Sequence, residues 1–229
     1  MQIDIMTLFP ESLTNMLTES IIGRGMKKGL IEIRAHQIRD YTQNKQNQVD
    51  DYPYGGGQGL VMQADPLFRC WDDICRRYGK GHTIYMSPQG SVFCQNEARR
   101  LQSEYKHLIL VCGHYEGIDE RFIEECVDSE ISIGDFVITG GELAACVVAD
   151  AVCRIVPGVL SSPLGFQDES HWDGLLEHPQ YSRPEIWHNR SVPAVLLSGH
   201  HANINKWRAE QSLKRTRLKR PDLLKGTRK

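Results

Sequence analysis

CGHYEGIDERFIEECVDSEISIGDFVITGG, residues 112–141, is the stretch on which the reading of the fold turns. Two short turns, GHYEG at 113–117 and SIGD at 132–135, each follow an apolar run, HLILVC at 107–112 and ISI at 131–133. The glycines at 113, 117, 134, 140 and 141 let backbone N–H and C=O groups approach a ligand, because no Cβ stands in the way. In α/β folds, loops of this kind at strand ends are where small molecules bind. From Cys112 to Asp150 there are ten Asp or Glu against one basic residue, Arg121, so the stretch is no phosphate cradle.

The segments before it repeat a strand–helix pattern. QIDIMTL (2–8) and IEIRAHQI (31–38) alternate apolar and polar residues as strands do, and the spacing of Leu13, Met16, Leu17 and Ile21 predicts one helix over 11–22. A helix is expected from Asp65 to Tyr78 and another from Phe93 to Glu104, with strands over 82–90 and 107–112. The alternation argues for an α/β sheet. DDYPYGGGQG (50–59) is a second glycine-rich loop, which lacks both the GxGxxG spacing and the lysine of a phosphate-binding loop. Gly141 to Val156 is the most hydrophobic helix, apolar nearly all round, and is expected to bury against both the sheet and a partner. Arg154 near its end is the polar exception, in a place where a cation suits the helix dipole.

Composition sets the class. The chain has 229 residues, 40% hydrophobic and 24% charged, as in ordinary globular proteins. No apolar window is long enough to span a membrane, and the start, MQIDIMTLFPES, does not read as a secretory signal. Seven cysteines without a CxxC pair argue against a disulfide framework or a structural zinc site and for the reducing cytosol. Residues 200–229 hold ten Lys or Arg and two acids, a local +8, so that the first 199 sum to −10. A basic module on an acidic body points to a polyanionic partner bound at one end.

Composition changes over 157–179, where Ser, Pro, Gly and acids mix without a repeat. The expected organisation is therefore a ligand-binding domain over 1–160, a flexible linker over 161–176 and a helical domain over 177–229. In the last, a short apolar helix, a turn at Ser198 or Gly199, a helix from His201 to about Leu213 and a final helix from Pro221 are expected. Lys206, Arg208, Lys214, Arg215 and Arg217, with Trp207 among them, make a basic, partly aromatic surface that suits phosphate contacts and stacking on RNA, and Arg183 and His201 are counted in the RNA-binding set.

At this point the motifs coincide with those of a known family. TLFPE (7–11), DDYPYGGGQGLVM (50–62), YMSPQG (85–90), CGHYEGIDER (112–121), ISIGDFVITGGELAA (131–145), YSRPE (181–185) and VPAVLLSGHHANINKWR (192–208) together resemble the bacterial tRNA (guanine-N1)-methyltransferases. These form the TrmD family of SPOUT knotted enzymes, and the resemblance covers essentially the full length. It implies an α/β fold: a trefoil-knotted SPOUT methyltransferase domain with a small all-α C-terminal domain. It further implies that S-adenosylmethionine lies in the knot, gripped mostly by the backbone of three loops. Here those loops bring Tyr85, Met86, Ser87, Pro88 and Gly90; Gly113, Tyr115, Glu116 and Gly117; and Ser132, Ile133, Gly134, Asp135, Val137, Thr139, Gly140 and Gly141. A sulfonium cation explains how an acidic segment can hold a nucleotide-like cofactor. Tyr54, Gly55 and Gly56 join the RNA-binding set.

The resemblance also implies the reaction, methyl transfer to N1 of the guanine at tRNA position 37, next to the anticodon. Guanine N1 is protonated at neutral pH, so a base and a counter-charge for the O6 oxyanion are required. By family position Asp168 is the base, Arg154 the electrostatic partner, and Glu116 sits close to the cofactor or the guanine. An aspartate at its ordinary pKa of about 3.9 is a feeble base, so burial or positioning must compensate. Asp168 lies in the linker, which is expected to order only on tRNA. The family acts as a cytoplasmic homodimer with its site at the subunit interface and no membrane attachment. Magnesium enters only as an aid to RNA folding and to departure of the proton, since no metal-ligand cluster stands out. Two departures adjoin the cofactor loops: His114 where some relatives have arginine, and Ala144 where many have proline. Two other readings stay open: a helix-turn-helix regulator, which leaves the glycine-rich loops without a role, and a knotted enzyme acting on ribosomal RNA.

Overall fold

The computed structural model describes residues 1–162, 165–166 and 169–225, and divides into two compact units, Met1–Pro163 and Leu164–Lys229. The first is built on five parallel strands: β1 (Gln2–Thr7), β2 (Glu32–Gln37), β5 (His82–Val92), β6 (His107–Cys112) and β7 (Ser129–Ser132), in the order β2-β1-β6-β5-β7. A minor hairpin, β3 (Asp50–Asp51) and β4 (Val61–Met62), carries the 52–60 loop. All six residues of HLILVC are buried, as a central parallel strand requires. Helices α3 (Ala64–Tyr78) and α5 (Glu120–Cys126) pack together, with Leu67, Cys70, Ile74 and Phe122 in the same core as Met6, Ile109 and Val111. Helix α6 (Glu142–Cys153) packs on β1 and β6 and against α1 (Pro10–Leu17) and α4 (Gln95–Glu104).

The single helix expected over 11–22 is two. α1 ends at Thr18, Glu19 is extended, and Ser20, at φ 54°, turns the chain into α2 (Ser20–Lys27). Periodicity alone missed α5, although Asp119 caps it by accepting from Arg121 N–H and Phe122 and Cys126 form its buried stripe. α6 is not buried all round: Leu143 and Val147 are 54% and 47% exposed.

The second unit holds β8 (Ile186–Trp187), β9 (Arg190–Ser191), α7 (Ala194–Leu197) and α8 (His201–Lys219), followed by a 3-10 turn over Pro221–Lys225. It is not all-α. His188 and Asn189, at φ 46° and 60°, form a two-residue turn that pairs β8 with β9. α8 runs on past Leu213, and Thr216 near its end is fully buried, donating to Ser212 C=O and accepting from Leu176 N–H.

The sheet is pinned by a buried charge. Asp4 on β1 is fully buried and accepts two hydrogen bonds from Arg34 on β2 (2.7 and 2.8 Å), one from His36 (2.6 Å) and one from His107 on β6 (2.7 Å). Burial opposes ionisation, but the bonds from Arg34, His107 and His36 outweigh it and hold the carboxyl well below the usual carboxylate range. Removing one partner of a buried ion pair costs about 3–5 kcal/mol, so Asp4→Asn should lower the urea midpoint sharply. Because the folded pKa is depressed, the stabilisation is complete above the unfolded value of about 3.9 and is lost as pH falls below it. Urea melts at pH 7 and pH 3 check this: the gap between wild type and Asp4→Asn should narrow in acid, and a gap independent of pH would contradict it.

Candidate active site

Three loops at the C-terminal ends of β5, β6 and β7 enclose one cavity of about 240 Å³. The first is an excursion from within β5. Met86 and Ser91 both register against Ile131, so Ser87–Gly90 leave the sheet while β7 runs on beside them. Gly90 closes the excursion, because a Cβ there would run into the Glu130–Ile131 peptide. The second loop turns at 114–117, with Gly117 N–H donating to His114 C=O at 3.0 Å and Tyr115 at φ 59°. The third returns from edge strand β7 to β6, where Gly141 N–H donates to Gly113 C=O at 3.0 Å and a Cβ on Gly141 would lie 2.7 Å from Cys112 Cα.

The 52–60 loop is docked on the second of these. Glu116 N–H donates to Leu60 C=O (3.0 Å), Met62 N–H to Gly117 C=O (3.0 Å) and Asp119 N–H to Met62 C=O (3.0 Å). Gly59 lies so close to Glu116 that a Cβ would overlap its carboxylate. Tyr54 at the loop's tip is fully exposed, and Gly55 and Gly56 both have positive φ in open space.

The cavity's chemistry is that of a site for a neutral or cationic ligand. Among the described residues Glu116 is the one acid in its wall, and no Lys or Arg lines it. Ile131, Ile133, Phe136, Val137, Ile138 and Ala144 supply apolar surface. Burial pushes the Tyr85 phenol up to about 12, so it stays protonated and able to donate. Burial likewise raises the thiols of Cys112 and Cys146, which do not line the cavity, so neither is a thiolate nucleophile at neutral pH. No group of three His, Cys, Asp or Glu that could hold a metal ion occurs among the described residues.

Of the residues expected at the cofactor, Tyr85, Met86, Ser87, Pro88, Gly113, Tyr115, Glu116, Gly117, Ser132, Ile133, Gly134, Val137, Thr139, Gly140 and Gly141 line the cavity. Gly90 shapes the loop from outside the lining, and Asp135 is exposed beside it. Sequence reasoning did not name Gln89, His114, Ile131, Phe136, Ile138 and Ala144 among the cofactor residues, and all of them line it. His114 and Ala144, read in the sequence as departures from the family pattern, are thus both in its wall. Arg154 caps the far end of α6, a helix of 12 residues that at 1.5 Å per residue is about 18 Å long, and does not line this chain's cavity. Asp168 lies outside the described residues.

The basic residues of the second unit do not share one face. Arg208 and Arg183 line a cleft of about 480 Å³ with Tyr181, Ile204 and Leu197, and Arg215 donates to Glu177 C=O (3.4 Å). By helical spacing Lys206 and Lys214 lie on the opposite, exposed side of α8. His201 is exposed at the first turn, where the preceding His200 caps the helix by accepting from Asn203 N–H.

Fold and site together define an α/β protein with a backbone-lined ligand cavity at the carboxyl ends of a parallel sheet. Residues 1–226 match the family model described as tRNA (Guanine-1)-methyltransferase TrmD. A Ruminiclostridium cellulolyticum protein named tRNA (guanine-N(1)-)-methyltransferase is 57% identical over 97% of this chain and 96% of its own length. Proteins of the same name from Clostridium novyi and Staphylococcus epidermidis are each 53% identical over 98% of this chain and 92% and 91% of theirs. The chain belongs to the tRNA (guanine-N1)-methyltransferase TrmD family and is an enzyme.

Proposed function

We propose that this enzyme transfers the methyl group of S-adenosylmethionine to N1 of the guanine at tRNA position 37. The observation that carries the cofactor is the cavity: three backbone loops, apolar walls and one carboxylate, Glu116, with no cation among the lining residues. That wall suits an adenosyl group and a sulfonium and does not suit a polyphosphate. Bound there, S-adenosylmethionine would supply an electrophilic methyl on its sulfonium, with a neutral thioether as the leaving group. The chain's own residues do the rest. Backbone of Tyr85–Gln89, Tyr115–Gly117 and Ser132–Gly141 orients the cofactor, Asp168 accepts the N1 proton, and Arg154 faces the negative charge that develops at O6.

Arg154 stands at the end of α6 away from the cavity, which supports a site completed by a second chain. The active unit is a homodimer in which Arg154 and Asp168 serve the partner's cavity. Leu143 and Val147 on α6, with Phe136 and the 84%-exposed Val137 before it, form the apolar surface for that interface. The return of Ser132–Gly141 from β7 to β6 is the crossing that the family's trefoil knot requires. Residues 1–160 bind the cofactor, 161–176 link, and 177–229 hold tRNA through Arg183, Arg208, Arg215, Lys206, Lys214 and His201, with Tyr54, Gly55 and Gly56 reaching the RNA from the other domain. Magnesium acts through the RNA. No described helix is long and apolar enough to cross a membrane, and a cytoplasmic site of action goes with tRNA modification.

Transfer of labelled methyl to tRNA transcripts tests the reaction. A transcript with guanine at position 37 should accept about one methyl, blocked by its replacement with adenine; equal labelling of both transcripts would contradict the assignment. Mixed dimers test the shared site. Glu116→Ala and Arg154→Ala should each lose at least about 100-fold in kcat/KM, and random remixing should restore about a quarter of wild-type activity, because one site of each mixed dimer is intact. No recovery on mixing would place both residues in one chain's site.

A further inference from the structure

We propose that Glu142 is a positioning residue for the cofactor site, acting with Thr7 through His114, an inference that rests on the reading of the cavity as a site for S-adenosylmethionine. Thr7 ends β1 and Glu142 begins α6; neither lines the cavity, whereas His114 does. Phe9 N–H donates to Thr7 Oγ1 at 2.9 Å, which leaves the hydroxyl proton directed at Glu142 Oε1, 2.6 Å away. Glu142 accepts it as a carboxylate, in the first turn of a helix whose amide dipoles favour negative charge there. The same carboxylate stands 2.8 Å from His114 Nε2 through both its oxygens. A carboxylate only accepts, so Nε2 carries the proton and the tautomer of His114 is set.

The ring so held is also packed closely on two sides. A Cβ on Gly140 would overlap the imidazole, and the Phe9 ring packs against it in a T-shape at 5.1 Å. The His114 carbonyl accepts from Gly117 N–H, and between them Tyr115 sits in the left-handed region at φ 59°. A non-glycine residue in that region is strained and persists where its surroundings enforce it. Anchoring His114 to Glu142 therefore fixes the Tyr115–Gly117 turn and clamps it to the 139–141 loop. Two of the three loops around the cavity are thus held at one spacing before any ligand arrives, and preformed spacing is realised as affinity.

The test uses the full-length chain, with S-adenosylmethionine titrated by calorimetry and methyl transfer measured at saturating cofactor. Glu142→Gln keeps the shape and removes the charge; its Kd should rise about tenfold, the loss of one charge-assisted bond, and by more than the saturated rate falls. His114→Ala should lose binding to a similar extent, whereas His114→Arg, which keeps an N–H donor facing Glu142, should return to within about threefold of wild type. Circular dichroism and melting checks that each variant is folded, and the two His114 variants decide the matter if Glu142→Gln is not. A folded Glu142→Gln that binds within about twofold of wild type, or a His114→Arg no better than His114→Ala, overturns the proposal. A wild-type protein that binds no S-adenosylmethionine overturns the cofactor reading instead, and this inference with it.

Discussion

The Gly141 N–H reaches the Gly113 carbonyl at 3.0 Å, and Gly90 lies against the Glu130–Ile131 peptide, because these residues have no side chain to hold the backbones apart. Main chain packed on main chain is what draws three loops from three different strands around one volume. A parallel sheet places the carboxyl ends of β5, β6 and β7 at one edge but does not by itself bring their loops into contact. The glycines do that, and the polar backbone groups they uncover become the walls of the site. α6 depends on the same contact, since it starts at the residue after Gly141 and from there packs along β1 and β6.

Charge follows a related division. The deeply buried carboxylate, Asp4, is fully matched by Arg34, His36 and His107 and holds three strands together. Glu142 is matched by Thr7 and His114 where β1, β6 and α6 meet. Glu116, by contrast, stands exposed in the cavity wall, packed on Gly59 with its backbone tied to Leu60. A carboxylate left in a cavity without a lining cation is available to a cationic ligand, and that is the electrostatic case for a sulfonium.

Much of this was legible in the sequence. HLILVC could hardly be anything but a buried strand, and the glycines of 112–141 and 85–90 marked the site's loops through the chemistry of backbone approach. What was not legible is non-local. In QIDIMTL, Asp4 reads as the polar member of an alternating strand; only the arrival of His107 from β6 makes it a buried anchor. His114 and Glu142, far apart in sequence, become partners only when the chain returns from β7 to β6. The α5 helix hid in a stretch read for its turns. The hairpin of 186–191 was invisible because His188-Asn189 lacks the glycine that usually signals such a turn. Arg154, read as one helix's polar exception, gains its proposed role only at a second chain.

One cofactor touching all three loops is what the proposed function requires of the cavity. Backbone amide chemical shifts of isotope-labelled protein, followed as S-adenosylmethionine is added, address it directly. Shifts are expected in all three segments, Met86–Gln89, Gly113–Gly117 and Ser132–Gly141, saturating at a common ligand concentration and leaving Arg34, His36 and His107 unmoved. Shifts confined to one loop, or centred in the second unit, would contradict it.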